Sequence, residues 1–154
     1  MSSPEKTEFF ELGDKTSLIC ADPSTTEAAK GTLRDLGFKF HIAETPEMAT
    51  ERMRYTHYDC IIVQENFAGS SLRSNPVLNY LAPLPMGQRR YSFVCLIGAS
   101  FKTLDAMQAF GQSVHLTLNP ADLPNLGAIL KKGLAEFEQL YRTYKDTVAA
   151  LGEK

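Results

Sequence analysis

Short apolar runs alternate with stretches of helical spacing from residue 16 to the end of the chain. The first run, Thr16 to Ala21, is broken by Asp22-Pro23-Ser24. Ser24 with Glu27 forms a capping box that opens a helix. Ala28, Ala29, Thr32, Leu33 and Leu36 recur at helical spacing, and Gly37 stands as the C′ residue. Lys39 to Ala43 alternates like a strand, with Phe40 and Ile42 on one face. Thr45-Pro46 is an N-cap with proline at the first helical position, and Met48, Ala49 and Met53 carry the helix core. Asp59 to Val63 is the third strand.

Cys60 to Val63 is apolar at every position and rich in β-branched residues, which suits a strand covered on both faces. Gln64, Glu65 and Asn66 then turn polar at the strand's carboxyl end, the end where open α/β sheets bind ligands. Residues 66 to 75 form a loop containing Gly69, Ser70 and Ser71. Asn75-Pro76 starts a helix through Leu81. Pro83, Pro85 and Gly87 make a proline-rich connection, and Gln88-Arg89-Arg90 reads as the solvated start of a strand. Tyr91 to Ile97 is the strongest strand signal in the chain, closed by Gly98-Ala99-Ser100. Thr103 caps a helix carrying Leu104, Met107, Phe110 and Val114. His115 to Leu118 is a fifth strand, ended by Asn119-Pro120. A last helix starts at Asp122 or Pro124 and runs to Leu151, with Gly127 and Gly133 costing helix propensity.

Repeated strand-then-helix units imply a parallel sheet with right-handed crossovers and helices on both faces. The expected fold is α/β and flavodoxin-like (CheY-like), with a five-stranded sheet in order 2-1-3-4-5 and an extended C-terminal helix. The expected organisation is a polar tail over residues 1–14, one domain over 15–137, and an extension of the last helix over 138–154. Phe9 and Phe10 either pack on the domain or belong to a longer protein's remnant.

Composition narrows the function. The chain has 154 residues, a formal charge of -2, and 44% apolar and 22% charged residues, ordinary for one globular domain. A nucleic-acid binder would show a basic stripe. No apolar run approaches the ~20 residues of a membrane helix. The N-terminal stretch lacks a signal-peptide core, so the expected location is the cytoplasm. Cys20, Cys60 and Cys95 sit in separate strand-like runs, as buried reduced thiols. His41, His57 and His115 are scattered, so no metal site is expected. Asp22-Pro23-Ser24-Thr25 has neither a GxGxxG nor a Walker pattern, and no cofactor is expected.

The runs Leu18-Ile19-Cys20-Ala21-Asp22-Pro23-Ser24, Leu36-Gly37-Phe38, Ala43-Glu44-Thr45-Pro46, Tyr58-Asp59-Cys60-Ile61-Ile62-Val63 and Leu118-Asn119-Pro120-Ala121-Asp122-Leu123 occur in order. Together, over about residues 15 to 137, they resemble the receiver domain of response regulators, the modules of bacterial two-component signalling. Active receivers hold Mg²⁺ with an acidic pair after strand one and accept a phosphoryl group on an Asp ending strand three. A Ser or Thr ends strand four, and a Lys precedes proline after strand five. The resemblance places the acidic pair on Cys20 and Ala21, or on Ala21 and Asp22. It places the phosphoacceptor on Gln64, the hydroxyl on Gly98 and the lysine on Asn119. A neutral amide forms no acyl phosphate, and Mg²⁺ wants carboxylate oxygens. Glu65 is expected to point away if Gln64 points in. A hydrogen bond between Gln64 and Asn119 across the pocket is one way to hold it in one state.

The resemblance therefore implies a degenerate receiver, a pseudo-receiver with no catalytic residue, acting as a protein-interaction module. Its partner is another protein or a second copy. Leu130, Leu134, Phe137, Tyr141, Tyr144, Val148 and Leu151 alternate at spacings of four and three, a heptad seam. The second half of that helix either frays or projects and pairs; the ordered seam favours pairing. It can pair with a second copy or fold back over Phe9-Phe10. The partner face is expected to include Phe101, Phe110, His115, Phe137, Tyr141, Tyr144, Val148 and Leu151. Phe101 is either tucked in or exposed as an anchor. A small-molecule sensor using the vacated pocket of Cys20, Gln64, Gly98 and Asn119 is the alternative. No Ser-His-Asp or Cys-His pairing supports an enzyme.

Overall fold

The structure, a computed structural model, describes residues 9–69, 74–84 and 91–152. Within them the chain runs β1 (Lys15–Cys20), α1 (Pro23–Asp35), β2 (Phe38–Ile42), α2 (Pro46–Tyr55) and β3 (Cys60–Gln64). There follow α3 (Pro76–Leu81), β4 (Phe93–Ile97), α4 (Ala106–Gly111), β5 (Leu116–Leu118) and α5 (Leu126–Gly152). The five strands form one sheet in the order β2-β1-β3-β4-β5. Every pair is parallel, with Ser17 opposite Cys60, Cys60 opposite Phe93 and Cys95 opposite Leu116. This is the expected architecture. Ser70, Ser71, Pro85, Gly87, Gln88, Arg89 and Arg90 lie outside the described residues.

Alternation along the strands builds two cores. Leu18, Cys20, Ile61, Val63, Val94 and Leu96 face one side, beneath Ala49 of α2, Val77 and Leu81 of α3, and Ala109 of α4. Ile19, Ile62, Phe93, Cys95, Ile97 and Leu118 face the other, beneath Ala29 and Leu33 of α1 and Leu126 and Leu130 of α5. All of β3 and β4 is buried, as a sheet covered on both faces requires.

Two caps differ from the sequence reading. The carboxylate of Asp22, not Ser24, accepts the Thr25 amide at 2.8 Å, and Pro23 takes the first helical position. The two-residue shift follows from proline, whose fixed φ suits that position. The helix carrying Phe110 is capped by Asp105, not Thr103, and covers only six residues. Leu104 sits at φ 62 and Ser113 at φ 59, left-handed conformations that exclude them from a helix. Only Ala109 of α4 is buried, so Met107 and Phe110 point outward, while Val114 is buried beyond the helix end. Gly37, at φ 89 directly after α1, is the expected C′ glycine.

The segment before β1 is anchored. Phe10 stacks on His41 with ring centroids 3.9 Å apart, and the His41 Nδ1 lies 2.7 Å from the Tyr58 hydroxyl. Lys39 Nζ donates to the Phe9 carbonyl at 3.1 Å and pairs with Asp14 at 2.9 Å. Phe10 therefore packs on the domain, whereas the Phe9 side chain is exposed. These contacts lie along β2, an edge strand, whose open side needs cover.

Gly133 has a packing reason. A Cβ there would lie 2.9 Å from the Phe93 Cζ. Helix propensity alone favours Gly133→Ala by about 1 kcal/mol. Overpacking against a buried ring costs about 1–3 kcal/mol. We expect Gly133→Ala to lower the urea midpoint; a raised midpoint would show that α5 does not press on Phe93.

Candidate functional site

The strand carboxyl ends open onto a crevice where Gln64, the last residue of β3, meets Asp22, two residues past β1. The Gln64 Oε1 accepts the Asp22 amide at 2.7 Å, and its Nε2 donates to Asp22 Oδ2 at 3.0 Å. One side-chain amide thus answers both a donor and a carboxylate on the facing loop. The Thr25 amide bond comes first in holding the Asp22 carboxyl below its ordinary range, and the Gln64 amide adds to it, against a smaller opposing effect of burial. This contribution to stability is present above the ordinary carboxyl range and is lost as pH falls through the depressed value.

Asn75 holds the other side of Gln64. It is fully buried, and its Nδ2 donates to the carbonyls of Gln64 at 3.0 Å and Glu65 at 3.1 Å. Its Oδ1 accepts the Val77 and Leu78 amides, so the cap of α3 also fixes the end of β3. Glu65 does not turn away. Its Oε1 accepts the Ser100 amide at 3.0 Å and its Oε2 the Ser100 hydroxyl at 2.9 Å. The carboxyl lies over Gly98, where a Cβ would collide with it. Strict alternation fails here because Glu65 lies beyond the last strand residue.

Asn119 does not reach Gln64. Its Nδ2 donates to the Phe101 carbonyl at 2.8 Å, and its Oδ1 accepts the Ala121 amide at 3.0 Å. It caps a 3₁₀ turn, Pro120–Asn125, that leads into α5. Thr103 Oγ1 accepts the Asn119 amide and donates to Asp122. Cys20 is fully buried, and desolvation pushes its thiol well up, so it offers no reactive group. Among the described residues no three His, Cys, Asp or Glu gather as a metal set.

No family model matches the chain, and no curated protein matches it. Solved structures do. A response regulator from Thermotoga maritima matches with a TM-score of 0.59 and 17% identity, over 79% of this chain and 98% of that one. A CheY-like receiver domain protein from Methanospirillum hungatei matches with a TM-score of 0.63 and 13% identity, over 82% and 98%. An orphan response regulator of H. pylori matches with a TM-score of 0.58 and 15% identity, over 79% and 98%. The chain has the receiver fold.

On the receiver fold, the positions placed by resemblance lie at the carboxyl ends of the strands, and their side chains take separate partners. Gln64 meets Asp22, Glu65 covers Gly98, and Asn119 is committed to Phe101 and Ala121. Of the two acidic-pair registers, only the one containing Asp22 brings a carboxylate to Gln64. Asn75 was absent from the expected set, and Glu65 was expected to point away. The signal for Asn75 was its place before Pro76, which reads as a cap and nothing more.

The expected partner face divides. Phe101 is buried in the core with Leu96 and Val114, so it is not an exposed anchor. His115 lies between Phe93 and Phe137, with ring centroids 5.5 and 4.8 Å away, and its Nδ1 accepts the Val94 amide. Phe110 is 82% exposed and Met107 78%. A groove of about 270 Å³ between α4 and α5 is lined by Leu104, Ala109, His115, Phe137 and Leu140. From Glu138 onward every described side chain of α5 is exposed, Val148 and Leu151 included. The side chains of Tyr141 and Tyr144 lie outside the described residues. No helix among the described residues is long and apolar enough to cross a membrane.

Gln64→Asp tests the crevice. It removes the donor to Asp22 and sets a second carboxylate beside it. We expect a loss of about 1–3 kcal/mol at pH 7, shrinking at pH 4 as the like charges are protonated. Urea unfolding at both pH values reads this out; equal losses at both would contradict the pairing of Gln64 with Asp22.

Proposed function

We propose that this chain is a phosphorylation-independent, non-catalytic pseudo-receiver that works as a cytoplasmic protein-interaction module in bacterial two-component signalling. The observation that carries this reading is the amide of Gln64 closed on Asp22. A phosphoacceptor needs a carboxylate there, and Mg²⁺ needs oxygens with negative charge. Gln64 supplies neither and occupies Asp22, while the Glu65 carboxyl is held by Ser100. Gly98 offers no hydroxyl, and Asn119 no positive charge. The crevice is built to stay in one arrangement.

The interaction surface we infer is the face of α4, β5 and α5, with residues 15–137 as the module and 138–154 as its extension. Leu104 and Leu140 line the groove and are exposed, and Met107 and Phe110 are exposed on α4. Contiguous exposed apolar residues of this kind mark interaction sites. The occupant we favour is the α5 helix of a second copy. The seam that seats Leu130, Leu134 and Phe137 on the domain continues in register to Val148 and Leu151. A solvated helix has no need of that register, and a heptad seam calls for a helix opposite. The stretch beyond Phe137 spans roughly 20 Å at 1.5 Å per residue, enough for two heptads.

Sedimentation velocity at 5–100 µM tests this. We expect the full chain to dimerise, and Val148→Glu or Leu140→Glu to weaken the dimer at least tenfold. A full chain that is monomeric at 100 µM would contradict self-pairing and leave the face to a different protein.

A further inference from the structure

A second cavity lies beside the crevice, across the carboxyl ends of β1 and β2, and nothing above assigns it a role. It measures about 410 Å³, within the range of small-molecule sites. Its apolar wall is Ala21, Ile42, Ala43 and Met48. Its polar wall is Thr26, Glu27 and Lys30 from α1, Arg52 from α2 and Glu44 from the β2–α2 turn. Lys30 is already paired with Glu27 at 3.1 Å. Arg52 is different. Its guanidinium already reaches the Tyr58 hydroxyl, but its Nε is buried with no hydrogen-bond partner, and no carboxylate lies within ion-pair distance among the described residues. A buried donor left unmade is costly and calls for an explanation.

We propose that this cavity binds a small organic acid, a carboxylate carried on a short apolar body. A guanidinium is matched best by a carboxylate, which takes two of its N–H groups side by side. A modest turn of the Arg52 side chain would bring Nε and a terminal nitrogen onto such a group. Ala43 and Met48 then cover the hydrocarbon. Glu44, exposed at the mouth, repels a second negative charge, so the site selects monoacids over diacids. The cavity shares Ala21 with the chain that leads into Asp22, and the Thr26 hydroxyl, in its wall, donates to the Ala21 carbonyl at 3.1 Å. Occupancy would therefore be felt at the Gln64–Asp22 contact. The inference does not depend on the dimer: it stands on Arg52 and the cavity alone.

The test is a titration of the full chain, followed by its backbone amide NMR spectrum, with sodium isovalerate, sodium 4-methyl-2-oxopentanoate and leucine. Succinate and isopentylamine are the controls. We expect saturable shifts centred on residues 21–30 and 42–52 and reaching Gln64, with a dissociation constant below about 1 mM, a modest affinity for so small a ligand. Succinate should bind at least tenfold more weakly, and isopentylamine should not bind. Arg52→Gln should lose at least tenfold in affinity. Absence of saturation by any of the three acids at 20 mM would overturn the proposal, and so would shifts centred elsewhere. Because the mapping uses the unaltered chain, it holds even if Arg52→Gln fails to fold.

Discussion

A neutral amide facing one carboxylate sets the character of this crevice. Gln64 gives Asp22 a donor and takes its backbone N–H, and Asn75 holds the backbone of Gln64 from behind. A hydrogen bond to a charged group contributes roughly 1.5–3 kcal/mol, so the pair outweighs what either side chain would gain from water. Clustered carboxylates would need a cation to relieve their repulsion. Here the acids are Asp22 and Glu65, each with its own hydrogen-bond donors.

The same economy appears one strand over. Gly98 leaves room for the Glu65 carboxyl, which is fixed by both donors of Ser100. Asn119 is spent on Phe101 and on the turn into α5. Loops that rearrange in a switch must be able to exchange partners between two states. These loops are instead tied to one another and to backbone by hydrogen bonds, which favours a single arrangement. Exposed apolar side chains stand elsewhere, on α4 and α5.

Much of the fold was legible because the sheet is buried on both faces and its strands are apolar at every position. Thr45-Pro46, Asn75-Pro76 and Gly37 marked their boundaries by mechanisms that act locally. Where local signals competed, tertiary context decided. Thr103 read as the cap, but it is claimed by Asp122 and Asn119 across the chain, and Asp105 caps the helix instead. Met107 and Phe110 fit a buried helical stripe by spacing, but α4 is too short to turn them inward. The crevice was legible as a set of positions, not as a set of contacts. Nothing in the sequence shows that Gln64 would choose Asp22 over Asn119, because that depends on which loop lies within 3 Å. Glu65 was misplaced for a related reason: the alternation rule ends with the strand.

The central claim is that this crevice neither takes a phosphoryl group nor responds to one. The most direct measurement is the backbone amide NMR spectrum of the full chain with Mg²⁺ and beryllofluoride, a phosphoryl mimic. The account predicts no saturable shift at Asp22, Gln64, Glu65, Gly98 or Asn119 at 10 mM of each. A saturable shift at these positions that spreads to α4 and α5 would contradict it, and would show that the crevice still couples to the interaction face.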